Sequence, residues 1–97
     1  MSHVVIAVHD HPQRDTFPQQ LGFFTERIVP GVAAMPGYVS GRWAYDRAAS
    51  RSHSYVMFDT AAHAQKLVDE LRAQVHVPNP FGVTLVSVVL AEETLAR

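Results

Sequence analysis

The sequence predicts an α+β fold in one domain over residues 1–97, with the element order β-α-β-β-α-β. Three observations support this fold class: four short runs rich in β-branched and aromatic residues, two stretches with apolar residues at helical spacing, and turns containing Pro or Gly between them. A chain of 97 residues has room for one small domain. Right-handed crossovers would place the first and third strands at the centre of a four-stranded antiparallel sheet, with both helices on one face.

The first strand and the first helix are predicted from the opening third of the chain. Residues 4–8, Val-Val-Ile-Ala-Val, form the short apolar run typical of a buried strand. Thr16 is the expected N-cap of the helix, whose apolar residues recur at steps of three and four. Pro30 removes a backbone donor and crowds the carbonyl group four residues earlier, so we expect a kink near residues 27–29. Gly37, after a proline, ends the helix.

A hairpin, a second helix and a fourth strand are predicted from the rest of the chain. Gly41 is a candidate β-bulge in the first strand of the hairpin, because an isolated glycine inside a strand often marks one. The second helix has apolar residues at i, i+3, i+4 and i+7, which indicates one buried face. The predicted elements are strands at residues 38–45, 52–58 and 83–90, and a helix that begins after Asp59-Thr60.

Composition and charge exclude several classes of protein. The chain is 47% apolar and 18% charged, which is typical of a globular domain. Eight Lys and Arg against nine Asp and Glu give a net charge of −1, which argues against a nucleic-acid or anionic-membrane partner. The absence of cysteine excludes disulfides, thiolate metal sites and cysteine catalysis. No apolar run is long enough to span a membrane, and a cytoplasmic location is expected.

The sheet face without helices is predicted to be apolar, and it therefore needs a cover. One parity of the first strand exposes Val5 and Ala7, and the other exposes Val4, Ile6 and Val8. At ~25 cal/mol per Å² of apolar area, leaving this face in water would cost several kcal/mol of a total stability of about 5–10 kcal/mol. We therefore expect a homodimer with two sheets packed face to face, which Asp at Val5 or Val88 should dissociate or unfold.

Three segments also carry a resemblance to a known family: Pro30, the Met-Pro-Gly-Tyr-Val-Ser segment at residues 35–40, and the Ser-Tyr-Val-Met-Phe-Asp-Thr segment at residues 54–60. Through these segments the chain resembles the dimeric α+β barrel superfamily and, within it, the antibiotic-biosynthesis-monooxygenase-like proteins. The resemblance spans nearly the whole chain. The resemblance implies a ferredoxin-like domain in a face-to-face dimer. It also implies a monooxygenase or related oxidoreductase that uses no cofactor and acts on a small aromatic or polyketide-like molecule.

The resemblance does not extend to the haem-degrading branch of the superfamily. That branch uses an asparagine in the first strand, a tryptophan in the third and a histidine on the second helix. In this chain the only asparagine is Asn79, in a predicted loop, and the only tryptophan is Trp43, in the second strand. The quinone-forming branch also has an asparagine and a tryptophan near its pocket, and Trp43 alone matches it. Haem binding or degradation is thus the third hypothesis. The first is the monooxygenase, and the second is a non-catalytic dimer that binds a small hydrophobic ligand or has a regulatory role.

The predicted ligand pocket lies between the helices and the sheet. His63, in the first turn of the second helix, is the candidate catalytic base toward a phenol, the alternative being a histidine at the surface boundary. If Tyr38 packs under the helices, then Arg42 shares its side, and Trp43 belongs to the dimer face unless a bulge shifts the register. Aromatic residues either line a cavity or fill the core and the dimer face. The predicted substrate-binding residues are Tyr38, Arg42, Trp43, Tyr55, Met57 and Phe24.

A histidine group is the candidate for a metal site. His9 and His11 are two residues apart and lie on one side of an extended segment. His53, at the start of the third strand, should lie near them, and Asp10 is adjacent in sequence. Three imidazoles and a carboxylate could hold Zn²⁺ or Fe²⁺, and the alternative is a set of solvated polar residues at strand ends.

Overall fold

The computed structural model describes residues 2–77 and 79–94 and has the predicted order of elements. Its four strands form one antiparallel sheet in the order second, third, first, fourth, so the first and third strands are central, as predicted. The α+β class is thereby confirmed. The elements are His3–Asp10 (β1), a 3₁₀ turn at Arg14–Thr16, Phe17–Phe23 (α1), Val29–Ala33 (α2), Tyr38–Asp46 (β2), Arg51–Phe58 (β3), Ala61–Gln74 (α3) and Thr84–Glu92 (β4).

A π-helical turn at Phe24–Ile28 separates α1 from α2, so the predicted irregularity in the first helix is confirmed. The turn ends two residues before Pro30, which has no backbone N–H to continue an α-helical ladder. Thr25 lies inside the turn and donates its hydroxyl to the carbonyl oxygen of Leu21 at 3.0 Å. Within the described part of the chain, no helix has the length and apolar character needed to cross a membrane.

The cross-strand register assigns the two faces of the sheet. Val5 lies opposite Val56 on one side and Leu90 on the other, and this row belongs to the core under the helices. Successive strand residues point to opposite faces, so the next row, which contains Ile6 and Val89, lies on the open face. The expectation that Asp at Val5 or Val88 tests the dimer is therefore wrong. Both residues pack under the helices, where Asp would unfold the single chain.

The core lies between α3 and the central strands. Thr60 caps α3 as predicted, because its hydroxyl accepts a hydrogen bond from the backbone N–H of His63 at 3.2 Å. Phe58 is fully buried and is the largest side chain in the core. The buried cluster consists of Val5, Val56, Phe58, Ala64, Leu67 and Val68, and Val32 and Met35 pack against it from the first helical region.

A β-bulge interrupts the pairing of β2 with β3 at Val39 and not at the predicted Gly41. Tyr38 pairs with Phe58, and Ser40 pairs with the preceding residue of β3, so Val39 is the extra residue. The bulge reverses the parity of β2. As a consequence, Tyr38 shares a face with Gly41 and the alternate residues after it.

Candidate functional site

Aromatic side chains cover the helix-facing side of β2. The ring of Trp43 meets the ring of Phe24 edge-on, with 5.8 Å between centroids. Tyr38 meets Phe58 in the same way at 6.3 Å. Gly41 lies between them, since a Cβ there would be 2.4 Å from the Trp43 indole and 3.1 Å from the Tyr38 hydroxyl. The structure thus brings Phe24, Tyr38 and Trp43 together under the helices. The sequence prediction placed Trp43 on the dimer face unless a bulge shifted the register, and the bulge at Val39 produces that shift.

Three other predicted substrate-binding residues lie on the open face of the sheet. Arg42 and Tyr55 pair across β2 and β3 in the same row as Ile6, and Met57 follows two residues along β3. The expectation that Arg42 shares a side with Tyr38 is wrong, because the bulge changes the parity. Tyr55 donates its hydroxyl to Glu93, and this hydrogen bond is the main reason that the pKa of Tyr55 is raised.

His63 lies at the start of α3, at the end of the sheet where β2 begins. Its Nδ1 and Asp59 Oδ1 are 2.7 Å apart, and the two side chains are 39% and 52% exposed. Both side chains lie over Gly37, which has a φ of +81° and leaves no space for a Cβ. The hydrogen bond to His63 is the main cause of the lowered pKa of Asp59. This pair is a histidine oriented by a carboxylate at the rim of the helix–sheet interface.

A second polar cluster lies at the opposite end of the sheet, on the helix-facing side. Tyr45, Ser52 and His9 form one cross-strand row, and His11 follows His9 by two residues. Gln20 of α1 is 5% exposed, and its side chain extends from the helix toward this row and contacts His11. Every fully buried polar side-chain atom in the described residues has a hydrogen-bond partner, and this includes the buried atoms of the cluster.

The hydrogen bonds of Gln20 determine the tautomer of neutral His11. The Gln20 amide nitrogen donates to the carbonyl oxygen of Gln13 and to the hydroxyl of Thr16, each at 2.9 Å. Its Oε1 is therefore the atom 2.8 Å from His11 Nδ1, which must carry the proton. The other nitrogen, Nε2, then accepts from the hydroxyl of Ser52 at 2.7 Å.

Thr16 occupies the predicted N-cap position, but its hydroxyl does not cap the helix backbone. It donates to the Gln13 carbonyl oxygen at 2.9 Å and accepts from Gln20. The predicted capping role is wrong because the hydroxyl is part of the network that holds Gln20. Sequence reasoning missed Gln20 and Ser52. A signal exists, since Gln20 is a polar residue three positions after Phe17 and four before Phe24 on an otherwise apolar stripe.

Tyr45 and Phe17 form the wall beside this network. Their rings stack with centroids 4.0 Å apart, and the His11 ring meets Tyr45 edge-on at 5.7 Å. The Tyr45 hydroxyl lies 2.9 Å from the hydroxyl of Ser50. An open depression of about 340 Å³ borders the same end of the sheet, with His11, Arg14 and Ser50 among its lining residues.

The predicted metal group is not assembled. His53 pairs with Val8 and lies on the open face, whereas His9 and His11 lie under the helices. Asp10 also points away from them and forms an ion pair with Arg51 at 2.7 Å. Over residues 2–77 and 79–94, no three His, Cys, Asp or Glu side chains are arranged to hold a metal ion.

Comparison with solved structures finds two proteins with the same fold. A proposed monooxygenase from Shewanella loihica PV-4 superposes with a TM-score of 0.69 at 15% identity, covering 98% of this chain and 96% of that one. The monooxygenase from the gene ActVA-Orf6 of Streptomyces coelicolor, solved with the ligand nanaomycin D, gives 0.65 at 12% identity, covering 99% and 90%. No protein-family model matches the sequence, and no curated protein matches it. The ferredoxin-like α+β fold that the resemblance implied is therefore confirmed.

Gly41→Ala is expected to displace the Trp43 indole and to lower the free energy of unfolding by about 1–3 kcal/mol. A Cβ at this position would lie 2.4 Å from the indole, which is far inside van der Waals contact. The chain has one tryptophan, so a red shift of its fluorescence reports the displacement directly. Gly31→Ala is the matched control, since a Cβ there has no neighbour within 4 Å. Equal unfolding midpoints in urea for the two variants would contradict the prediction.

Acid is expected to destabilise the fold through His9. Burial is the main cause that lowers the pKa of His9 from 6.5, and the neighbouring His11 adds to it. The unfolded chain then binds the proton more readily than the folded chain, so this stability is present above about pH 6.5 and is lost as the pH falls through the folded-state pKa. His9→Gln should therefore reduce the drop in Tm between about pH 7.5 and pH 5. His76→Gln, at an exposed site after α3, should leave that drop unchanged.

Proposed function

We propose that this protein is a cofactor-independent monooxygenase that oxidises a small aromatic or polyketide-like phenol. The observation that carries the proposal is the helix-facing side of the sheet, where an aromatic wall adjoins a hydrogen-bonded imidazole. The shared fold of two monooxygenases supports the same function. The aromatic rings would hold the substrate by stacking. Trp43 from the sheet and Phe24 from the first helical region would together form one wall of the pocket.

The reaction requires the protein only to bind the phenolic substrate and to remove a proton from it. Removing the phenolic proton makes the ring electron-rich, and the resulting anion reacts with O₂ directly. For an anthrone, one oxygen atom enters the ring carbon as the new carbonyl, and the other leaves as water with the two hydrogens of that carbon. A positioned base contributes ~10²–10⁴-fold to such a proton transfer.

Oxygen consumption by the purified protein with an anthrone as substrate tests the proposal. We expect the purified protein, treated with a chelator, to consume one O₂ per anthrone and to release the anthraquinone. The competing function is a dimer that binds the same kind of ligand without converting it. Quenching of Trp43 fluorescence by the anthrone with oxygen uptake at the uncatalysed rate would establish binding alone and would contradict the monooxygenase.

Two imidazoles are candidates for the base, at opposite ends of the sheet. His63, predicted from the sequence, is paired with Asp59 at the rim, and His11 lies in the polar cluster with Gln20 and Ser52. His63→Ala separates them. A loss of ~10²-fold or more in turnover with Tm unchanged would assign proton abstraction to His63, and retained turnover would remove His63 from the mechanism.

We propose that the functional form is a homodimer packed through the open face of the sheet. This face presents apolar side chains that a single chain leaves in water: Ile6 is 37% exposed and Val89 is 52% exposed. A second copy would cover both, together with Tyr55 and Met57 from β3. In the dimer, Arg42 and Tyr55 would then contribute to the interface and not to the pocket under the helices.

A further inference from the structure

We infer that His11 is the catalytic base of this site, that it receives the substrate proton through the hydroxyl of Ser52, and that Gln20 is the residue that positions it. The inference rests on the proposed function, because it names the proton path for the same phenolic substrate. The class of substrate follows from the path: a compound with an acidic hydroxyl on an aromatic or enolic ring.

The first support is the direction of each hydrogen bond in the series that links Gln13, Gln20, His11 and Ser52. The carbonyl oxygen of Gln13 can only accept, so the Gln20 nitrogen faces it and the Gln20 oxygen faces His11. Neutral His11 therefore carries its proton on Nδ1 and presents the lone pair of Nε2 to Ser52 at 2.7 Å. A hydroxyl, a base and a third group that orients the base form the arrangement expected of an activated proton acceptor.

The second support is the position of Ser52 in the sheet. Its row, Tyr45–Ser52–His9, is next to the row that contains Trp43 and Ser54 on the same face. Rows two residues apart along a strand are separated by ~7 Å, which is about the width of one aromatic ring. A ring packed against the Trp43 indole would thus bring a ring hydroxyl within reach of Ser52.

The third support is the surroundings that the imidazole would have after taking the proton. Gln20 is buried and accepts from Nδ1–H, so it also stabilises the imidazolium. His9 is the neighbouring titratable group on β1, and burial lowers its pKa, so it is uncharged at neutral pH and does not repel a proton on His11. The cluster can therefore accept charge without rearranging.

The proposed step moves one proton and changes no oxidation state. The O–H bond of the substrate breaks, and its proton goes to Ser52 Oγ as the original hydroxyl proton of Ser52 goes to His11 Nε2. The electron pair stays on the substrate oxygen, which becomes a phenolate, and Ser52 ends as a neutral hydroxyl. Reaction with O₂ follows and involves none of these three residues.

The tautomer is tested first, without any substrate. Nitrogen NMR of the imidazole rings should show neutral His11 in the Nδ1–H form, whereas free histidine prefers Nε2–H. Gln20→Leu should remove this preference, and Gln20→Glu, which retains an acceptor oxygen, should keep it. A merely structural role for Gln20 would lower Tm without changing the tautomer. His11 in the Nε2–H form in the unmodified protein would overturn the inference.

Proton abstraction is tested separately from oxidation, with 4-nitrophenol under anaerobic conditions. Binding should increase the yellow phenolate absorbance in the unmodified protein. His11→Gln should abolish the increase, Ser52→Ala should reduce it, and His76→Gln should leave it unchanged. With an anthrone and O₂, His11→Gln should lower kcat by ~10²-fold or more and change KM little.

These experiments distinguish failure of the inference from failure of the proposed function. If 4-nitrophenol ionises through His11 but no phenol consumes O₂, the base assignment stands and the monooxygenase is overturned. If anthrone is oxidised and His11→Gln retains its kcat while folded by circular dichroism, the base assignment is overturned and the monooxygenase stands.

Discussion

Val89→Asp is expected to convert the protein into a monomer. Val89 lies beside Ile6 on the open face of the sheet, where we propose that the second copy packs. In the dimer a carboxylate here would be buried without a partner, which costs several kcal/mol. Light scattering at micromolar concentration should give about twice the 10.8 kDa chain mass for the unmodified protein and about 10.8 kDa for the variant.

Val75→Asp is the matched control for this prediction. Both valines are more than half exposed in the single chain, at 52% for Val89 and 59% for Val75, so the cost of the charge within one chain is similar. Val75 lies just after α3, away from the open face. If both variants stay dimeric, or if both dissociate, the open face is not the interface.

Phe58→Ala is expected to remove a large part of the stability of the domain. Phe58 is fully buried, packs edge-on against Tyr38 and is the largest side chain of the core. Truncating such a phenylalanine costs about 3–5 kcal/mol, through lost apolar contact and the cavity left behind. The total stability of such a domain is about 5–10 kcal/mol, so the urea midpoint should fall steeply.

Phe23→Ala makes the same chemical change at a position that is 49% exposed. Its cost should be smaller than that at Phe58, because about half of the surface of Phe23 stays in water after folding. Equal losses in the two variants would contradict the prediction that the core between α3 and the central strands supplies most of the stability. Urea unfolding at one protein concentration measures both variants.

Particular residues show how far the sequence predicts the fold. The β-branched run at residues 4–8 and the stripe from Ala64 to Leu71 predict a central strand and an amphipathic helix, and the structure has both. Pro30 predicts an irregularity in the first helix, and a π-helical turn lies just before it. These features are local, since each depends on residues within a few positions of one another.

The candidate site is less predictable because two of its determinants are not local. One inserted residue at Val39 reverses the parity of β2, which moves Trp43 under the helices and Arg42 to the open face. Nothing in the residue types of the strand marks Val39, and Gly41 is instead needed for the space that the Trp43 indole occupies. The site residues predicted from strand parity to line one pocket therefore lie on the two opposite faces of the sheet.

The amino-acid sequence predicts the order of elements, the central strands, the irregular first helix and the apolar open face. Each of these follows from periodicity, proline chemistry or topology rules that act along the chain. The folded structure was needed to establish which face of the sheet holds each side chain and that Gln20, His11 and Ser52 meet. Gln20 lies 9 positions and Ser52 lies 41 positions after His11 in the sequence. Hydrogen bonds between distant residues depend on the register of strands and the seating of α1, which only the packed structure defines.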